Sequence, residues 1–219
     1  RVQAEAGIQR RVIELEVLYE SGLTISSLLN EREIAEKLIE ILGERLSWHH
    51  ATVRILVPKT NRLDLLALSH PDLNSQQIRE QRKRLNAIIT DPEKGLSGWV
   101  VKHNQVVRSG DLRDDPRYSQ TFPNIHSGLY VPIGIGENVF GCIAVESDEK
   151  DAFTSNDERL LITLASQAAT AFENARLYQA VQKELDERVA AQKALSEYRD
   201  QLEELVEERT AALQASEEK

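Results

Sequence analysis

The feature that most limits what this chain can fold into is a change in the spacing of its apolar residues, from helical to strand-like and back. Ile8, Val12, Leu15 and Tyr19, then Ile25 and Leu28 past Ser21-Gly22, step by three and four and place one apolar face on an N-terminal helix. Asn30, followed by Glu33, reads as the capped start of a second helix with Ile34, Leu38, Ile41, Leu42 and Leu46 inward. Residues 51–57 (ATVRILV) then alternate, and with 63–70 across the turn Pro58 to Arg62 they predict a hairpin. Residues 73–84 read as a short helix or a long loop, and 85–89 (LNAII) as a third strand. A second hairpin is expected from 129–135 and 139–147 around Gly136-Glu137-Asn138. Thr154 and Asp157 form a capping-box pattern opening a helix that buries Leu161, Leu164, Ala168, Phe172 and Ala175. Helices at both ends with strands between them indicate an α+β fold around an antiparallel sheet.

Composition closes off several functions. The 219 residues include one cysteine, too few for a disulfide framework, a cysteine zinc site or an iron–sulfur centre. The formal charge is −9, the opposite of the basic excess expected of a nucleic-acid-binding domain. No apolar run approaches the roughly 20 residues that span a bilayer. The sequence contains no methionine and begins at Arg1, so it is expected to be part of a longer protein, and its single cysteine points to a reducing, cytoplasmic location.

Residues 179–219 differ from the rest. They carry 11 acidic and 6 basic side chains and neither glycine nor proline, which predicts one long, solvated helix. With Leu195 at position a, Tyr198 falls at d, Leu202 at a, Leu205 at d, Arg209 at a and Ala212 at d, the seam of a coiled coil. Upstream, Val181, Leu185 and Val189 step by four, so the register shifts before Leu195. The expected divisions are 1–30 for an N-terminal signalling helix, 31–178 for a sensory domain and 179–219 for a C-terminal coiled-coil helix.

Three segments carry a resemblance: GLSGWVVKHNQVV at 95–107, DLRDDPRY at 111–118 and LYVPIGIGENVFGCIAVES at 129–147. In that order, between those helices, they resemble the GAF domain over roughly Leu18 to Tyr178. The resemblance implies a six-stranded antiparallel sheet with the terminal helices on one face and a ligand pocket on the other. GAF domains serve as sensory modules in histidine kinases, cyclic-nucleotide phosphodiesterases, phytochromes, diguanylate cyclases and enhancer-binding transcription factors. Residues 202–213 (LEELVEERTAAL) resemble the signalling helices that join sensory domains to catalytic outputs.

The chemistry-bearing residues narrow this further. Cys142 lies between apolar strand neighbours and has no adjacent histidine, which speaks against a covalent bilin. A single thiol also excludes the GAF-type methionine sulfoxide reductases, which use more than one. His49 and His50 are adjacent and diverge, so no metal site is expected. Asp111, Asp114 and Asp115 share a loop with Arg113 and Arg117 and are expected to pair locally. No nucleophile–base pair or phosphate-binding glycine loop is present, and no catalytic residue is assigned. The Asn-Lys-Phe-Asp-Glu set of cyclic-nucleotide-binding members is incomplete. By position along the pocket wall that the resemblance implies, the candidate ligand-binding residues are Trp99, Ser109, Tyr118, Phe122, His126, Ser127 and Tyr130.

The expectation is therefore a non-catalytic sensory module without a resident cofactor, from a sensor histidine kinase or, second, a diguanylate cyclase. It would form a homodimer through Leu15, Leu18, Phe172, Leu177, Val181, Leu195, Tyr198, Leu202 and Leu205, and signal to an output domain in the same chain. Nucleic acid and membrane are not expected partners of this segment. The alternative is a ligand-free GAF domain used as a structural dimerisation spacer.

Overall fold

A computed structural model describes residues 18–57, 60–88, 94–120, 122 and 124–217. Its elements are α1 (18–26), α2 (Glu31–Leu46), β1 (His50–Val57), β2 (Arg62–Ser69), α3 (Ser75–Ile88), α4 (Gly95–His103), β3 (Val107–Ser109), β4 (Ser127–Ile135), β5 (Asn138–Ser147) and α5 (Ser155–Glu217), with a 3-10 turn at Leu112–Asp114. The chain divides into two compact units, one ending at Arg176 and the other beginning at Leu177.

The caps read from the sequence are formed. The Asn30 side chain accepts from the Arg32 and Glu33 amides at the start of α2. At α5, the Asp157 amide donates to Thr154 Oγ1 (3.3 Å) while Asp157 Oδ2 accepts from the Thr154 amide (2.7 Å), a reciprocal box. At the far end of α2, Ser47 takes the left-handed conformation (φ 58°) and the Trp48 amide returns to the Leu42 carbonyl, which stops the helix.

The sheet has five strands in the order β2-β1-β5-β4-β3, all antiparallel. The pairing of β1 with β5 fixes both faces. Val53 opposes Ile143, which opposes Val131, and these join Phe172, Leu161, Leu164 and the apolar side of α2 in the larger core. One residue along, Arg54 opposes Cys142, which opposes Pro132, and their side chains emerge on the other face. There a second apolar cluster forms beneath α3 and α4. A register shift between Val53 and Arg54 lets both Leu65 and Leu68 of β2 reach this second cluster, although they are three residues apart.

A sixth strand was expected at 85–89, and its described part, 85–88, is the end of α3 instead. Two forces explain the difference. Asn74 caps this helix, its Oδ1 accepting from the Gln76 and Gln77 amides at 3.0 Å each, and Ile78 and Leu85 then lie seven residues apart on the side facing the second cluster. Asn86 also does for the edge of β2 what a sixth strand would have done. Its Oδ1 accepts from the Leu65 amide (2.6 Å) and its Nδ2 donates to the Leu65 carbonyl (3.1 Å), while Arg82 donates to the Leu66 carbonyl (3.0 Å). A helix has covered a sheet edge with side-chain hydrogen bonds.

The first part of α5 is rich in alanine where it meets the domain. Ala165, Ala168, Ala169, Ala171 and Ala175 are buried with Leu161, Leu164 and Phe172. Small side chains allow the helix backbone to approach closely, and α1 packs here too: Gln167 Nε2 donates to the Leu18 carbonyl (3.1 Å) and Ser21 Oγ donates to Gln167 Oε1 (2.9 Å). Past Arg176, among the described residues, the apolar side chains of α5 are exposed, from Leu177 and Val181 to Leu202 and Leu205. Exposed i,i+4 ion pairs such as Arg188–Glu184 (2.8 Å) run along it.

Of the residues named for a dimer face, Phe172 lies in the domain's interior. It is fully buried in the domain's own core, which leaves it no surface for a second protomer, and Leu18 is half-buried against the same core. Leu15 lies outside the described residues. Phe172→Ala is therefore expected to cost about 3–5 kcal/mol in urea denaturation at any protein concentration. A loss below about 1 kcal/mol that depended on concentration would return Phe172 to an intermolecular contact.

Candidate functional site

The face of the sheet beneath α3 and α4 gathers polar side chains in an otherwise apolar setting. Register places Arg54 of β1 with Cys142 of β5, Thr52 with Ala144 and Tyr130, and His50 with Glu146 and Gly128, all on this side. Around them lie Leu65, Leu68, Leu96, Val100, Phe122 and Ile125. Gly128 is required where it stands. A Cβ there would come within 2.9 Å of Tyr130 Cε2 and 3.0 Å of Leu112 Cδ1, so the missing side chain makes room for the tyrosine ring.

Burial decides the electrostatics. The Tyr130 hydroxyl donates to Glu146 Oε1. Burial, then the neighbouring Glu146 charge, pushes the Tyr130 hydroxyl well above its ordinary range. Glu146 is only half-buried as a residue, but its carboxyl end is enclosed. Desolvation raises that carboxyl above the usual carboxylate range, against the opposing pull of the Tyr130 hydrogen bond and the Arg54 charge. Burial pushes the Cys142 thiol up to about 12, although a hydrogen bond with Ser97 favours the thiolate. Desolvation lowers Arg54, which is 4% exposed. His50 is lowered by burial and then by the nearby His70, whose ring centroid lies 4.5 Å away. Two buried nitrogens in this group, Arg54 Nη1 and His50 Nδ1, have no hydrogen-bond partner.

A surface depression of about 260 Å³ reaches the edge of this group. It is lined by Trp48, His49, His50, Pro71, Glu146 and Asp148 among others, so His50 and Glu146 belong both to it and to the buried face.

The residues singled out from the sequence separate into two sets. Tyr130 and Phe122 lie within the second cluster, with Trp99 and Tyr118 packed against it. Ser109 shares a register position with Gly128 on the same face. Two side chains meet the Trp99 ring: His103 stacks on it (4.4 Å) and the Arg117 guanidinium sits over it (4.2 Å). Ser127 and His126 do a different job. Ser127 is buried, its Oγ donating to the Glu149 carbonyl (2.6 Å) and accepting from the Ala152 amide (3.3 Å). His126 Nδ1 donates to the Asp148 carbonyl (2.7 Å), which fixes the tautomer. Together they hold the loop after β5 against the start of β4.

The aspartate loop is a set of local ion pairs. Arg113 binds Asp111 through two hydrogen bonds (2.8 and 2.6 Å), with Lys150 on the same carboxylate (2.9 Å), and Arg117 binds Asp115 likewise (2.9 and 2.6 Å). These hydrogen bonds hold Asp111 well below the usual carboxylate range and lower Asp115 too, the opposite of what a general acid at neutral pH needs. Among the described residues no cluster of three or more His, Cys, Asp or Glu is placed to hold a metal ion.

Sequence reasoning passed over Arg54 and Glu146 and weighed His50 only as a metal ligand. The available signal was an arginine at the centre of ATVRILV, on the side of the strand opposite Val53 and Ile55.

Two outcomes follow from the burial. A group whose folded pKa is raised contributes stability below its unfolded pKa and loses it as pH rises through the folded value. Glu146→Gln is thus expected to be more stable than the parent chain at pH 7–8, with the advantage vanishing as pH falls toward about 4, the unfolded carboxyl value. Thermal unfolding across that range checks it; a difference that does not vary with pH would contradict it. Cys142 is expected to resist a thiol reagent such as DTNB at pH 8 until denaturant exposes it. Rapid labelling of the native chain would contradict its burial.

The geometry agrees with what is known of other proteins. The family model for the GAF domain matches residues 29–173. No curated protein matches the chain. Among solved structures, it is similar to the GAF domain of a phosphoenolpyruvate-protein phosphotransferase from Coxiella burnetii, at 20% identity and TM-score 0.65, covering 77% of this chain and 98% of that one. The corresponding GAF domain from Acinetobacter is 18% identical with TM-score 0.62, covering 76% and 97%. A free methionine-R-sulfoxide reductase from Neisseria meningitidis, solved with its substrate, is 17% identical with TM-score 0.61, covering 75% and 91%. At these identities the likeness is one of fold. The match over more than half of the sequence decides the family: this chain belongs to the GAF domain family.

Proposed function

We propose that this chain is a sensory module, without catalytic activity of its own, within a cytoplasmic signal-transduction protein. A small molecule or a partner alters the polar face of the sheet, and the change passes through α5 to an output domain further along the same protein. A sensor histidine kinase is the proposed parent. The observation that carries the reading is that one helix, Ser155–Glu217, has both a face buried in the core and a seam of exposed apolar side chains. Leu177 is 60% exposed, Val181 61%, Leu195 69% and Tyr198 60%. Solvent does not favour such a seam, and a parallel copy of the same helix would cover it.

The mechanism is a shift in packing. Val53, Ile55, Ile143 and Val145 are backed by residues on the polar face, and they touch the core in which Leu161, Leu164 and Phe172 anchor α5. Occupancy of one face then biases helix packing on the other. Two packed arrangements separated by a few kcal/mol suffice for such a switch. Arg209, exposed and at a core position of the expected seam, keeps the coiled coil marginal.

A second reading, a ligand-free structural spacer, draws support from the apolar side chains that fill much of the face beneath α3 and α4. Both readings need the dimer. Sedimentation velocity at micromolar concentration is expected to show two chains for the parent and a folded monomer for Leu202→Asp, and Arg209→Leu is expected to raise the melting temperature of the tail. A monomeric parent, or a dimer indifferent to Leu202→Asp, would refute the signalling seam.

A further inference from the structure

We infer that the face beneath α3 and α4 binds a short organic monocarboxylate, held by pairing of its carboxylate with the Arg54 guanidinium. The inference rests on the sensor reading above and names its ligand. Arg54 stands on β1, between β2 and β5, and is 4% exposed. Its Nη1 is enclosed without a hydrogen-bond partner. The surrounding groups that act on its charge are Cys142, Glu146 and Tyr130 on the same face and Asp64 on β2. Most buried polar groups find a counterpart, and a buried cation left alone is costly. Arginine cannot escape by losing its proton as lysine or histidine can. A side chain built this way lacks an anion.

The surroundings choose among anions. Leu65, Leu96, Val100, Phe122 and Ile125 are the buried apolar side chains of this face, whose chemistry suits a short hydrocarbon body. A guanidinium matches a planar carboxylate with two parallel hydrogen bonds. A dianionic phosphate would bring its second charge near the Glu146 carboxyl. At the other end, His50 opposes Glu146 in the β1–β5 register, four residues from the Arg54–Cys142 pair. That is about 13 Å along the strand. His50 Nδ1 is the second enclosed nitrogen without a partner on this face. The depression lined by His50 and Glu146 gives access from that side.

The test is thermal unfolding and calorimetric titration of the dialysed chain with propionate, butyrate and 4-hydroxybutyrate, each against its primary amide. At least one acid is expected to raise the melting temperature and bind, and its amide to bind at least tenfold more weakly. Arg54→Gln and Arg54→Met are expected to lose at least tenfold in affinity for that acid, while Arg54→Lys recovers part of it. Without acid, Arg54→Met is expected to melt above the parent, because it removes an unpaired buried charge. Equal binding of acid and amide, or an unchanged affinity in Arg54→Gln, would overturn the role of Arg54 and leave the face a ligand site of another kind. Failure of every acid to bind the parent would overturn the proposal outright. Sedimentation of Leu202→Asp judges the signalling seam separately.

Discussion

The antiparallel pairing of β1 with β5 is the constraint on which the rest of the structure depends. It aligns Ala51, Val53 and Ile55 with Val145, Ile143 and Gly141, and so makes one face of the sheet wholly apolar. The same register leaves His50, Arg54, Cys142 and Glu146 on the opposite face. Close approach of the two strands is itself dictated by sequence: a Cβ on Gly141 would meet the Arg54 carbonyl oxygen at 2.0 Å. A larger residue there would force apart the strand pair that separates an anchoring face from a polar one.

Each face recruits what its chemistry can hold. Against the apolar face, α2 and the alanine-rich beginning of α5 pack closely, and the large apolar side chains there, such as Phe172 and Leu38, are fully buried. Against the polar face lie α3 and α4, with Ser97 of α4 reaching Cys142 and Asn86 of α3 reaching β2. The anchoring face is made for stability. The other carries enclosed charges and unmet hydrogen bonds, a pattern that concentrates at binding sites rather than in structural cores. Val53 and Ile55 flank Arg54 on the same strand, so a force on the guanidinium is a force on the strand that supports α5.

Much of this was legible from the sequence, and what was not has a physical reason. Asn30 and the Thr154–Asp157 box declared their helices because caps are local interactions. Both hairpins followed from alternation and turn residues. The stretch LNAII misled because five residues carry too little periodicity to separate strand from helix, and the deciding contacts, Asn86 with Leu65 and Arg82 with Leu66, are tertiary. Phe172 and Leu177 look alike on a helical wheel, yet one is fully buried and the other 60% exposed. Only the assembled domain, which ends at Arg176, distinguishes them. Of the candidate site residues, Tyr130, Phe122, Trp99 and Tyr118 lie in or against one apolar cluster, whereas Ser127 and His126 turn to backbone carbonyls of the loop after β5. Arg54 was invisible as a site because its meaning lies in lacking a partner, which no sequence displays.

The central claim is that the polar face of the sheet is mechanically joined to α5. Amide hydrogen exchange of the parent chain and Arg54→Met, followed by mass spectrometry, tests it most directly. The account predicts that removing the unpaired charge changes protection in β1 and β5 and also in the stretch of α5 from Leu160 to Arg176, on the opposite side of the sheet. A change confined to β1 and its hydrogen-bonded neighbours, with α5 untouched, would contradict it.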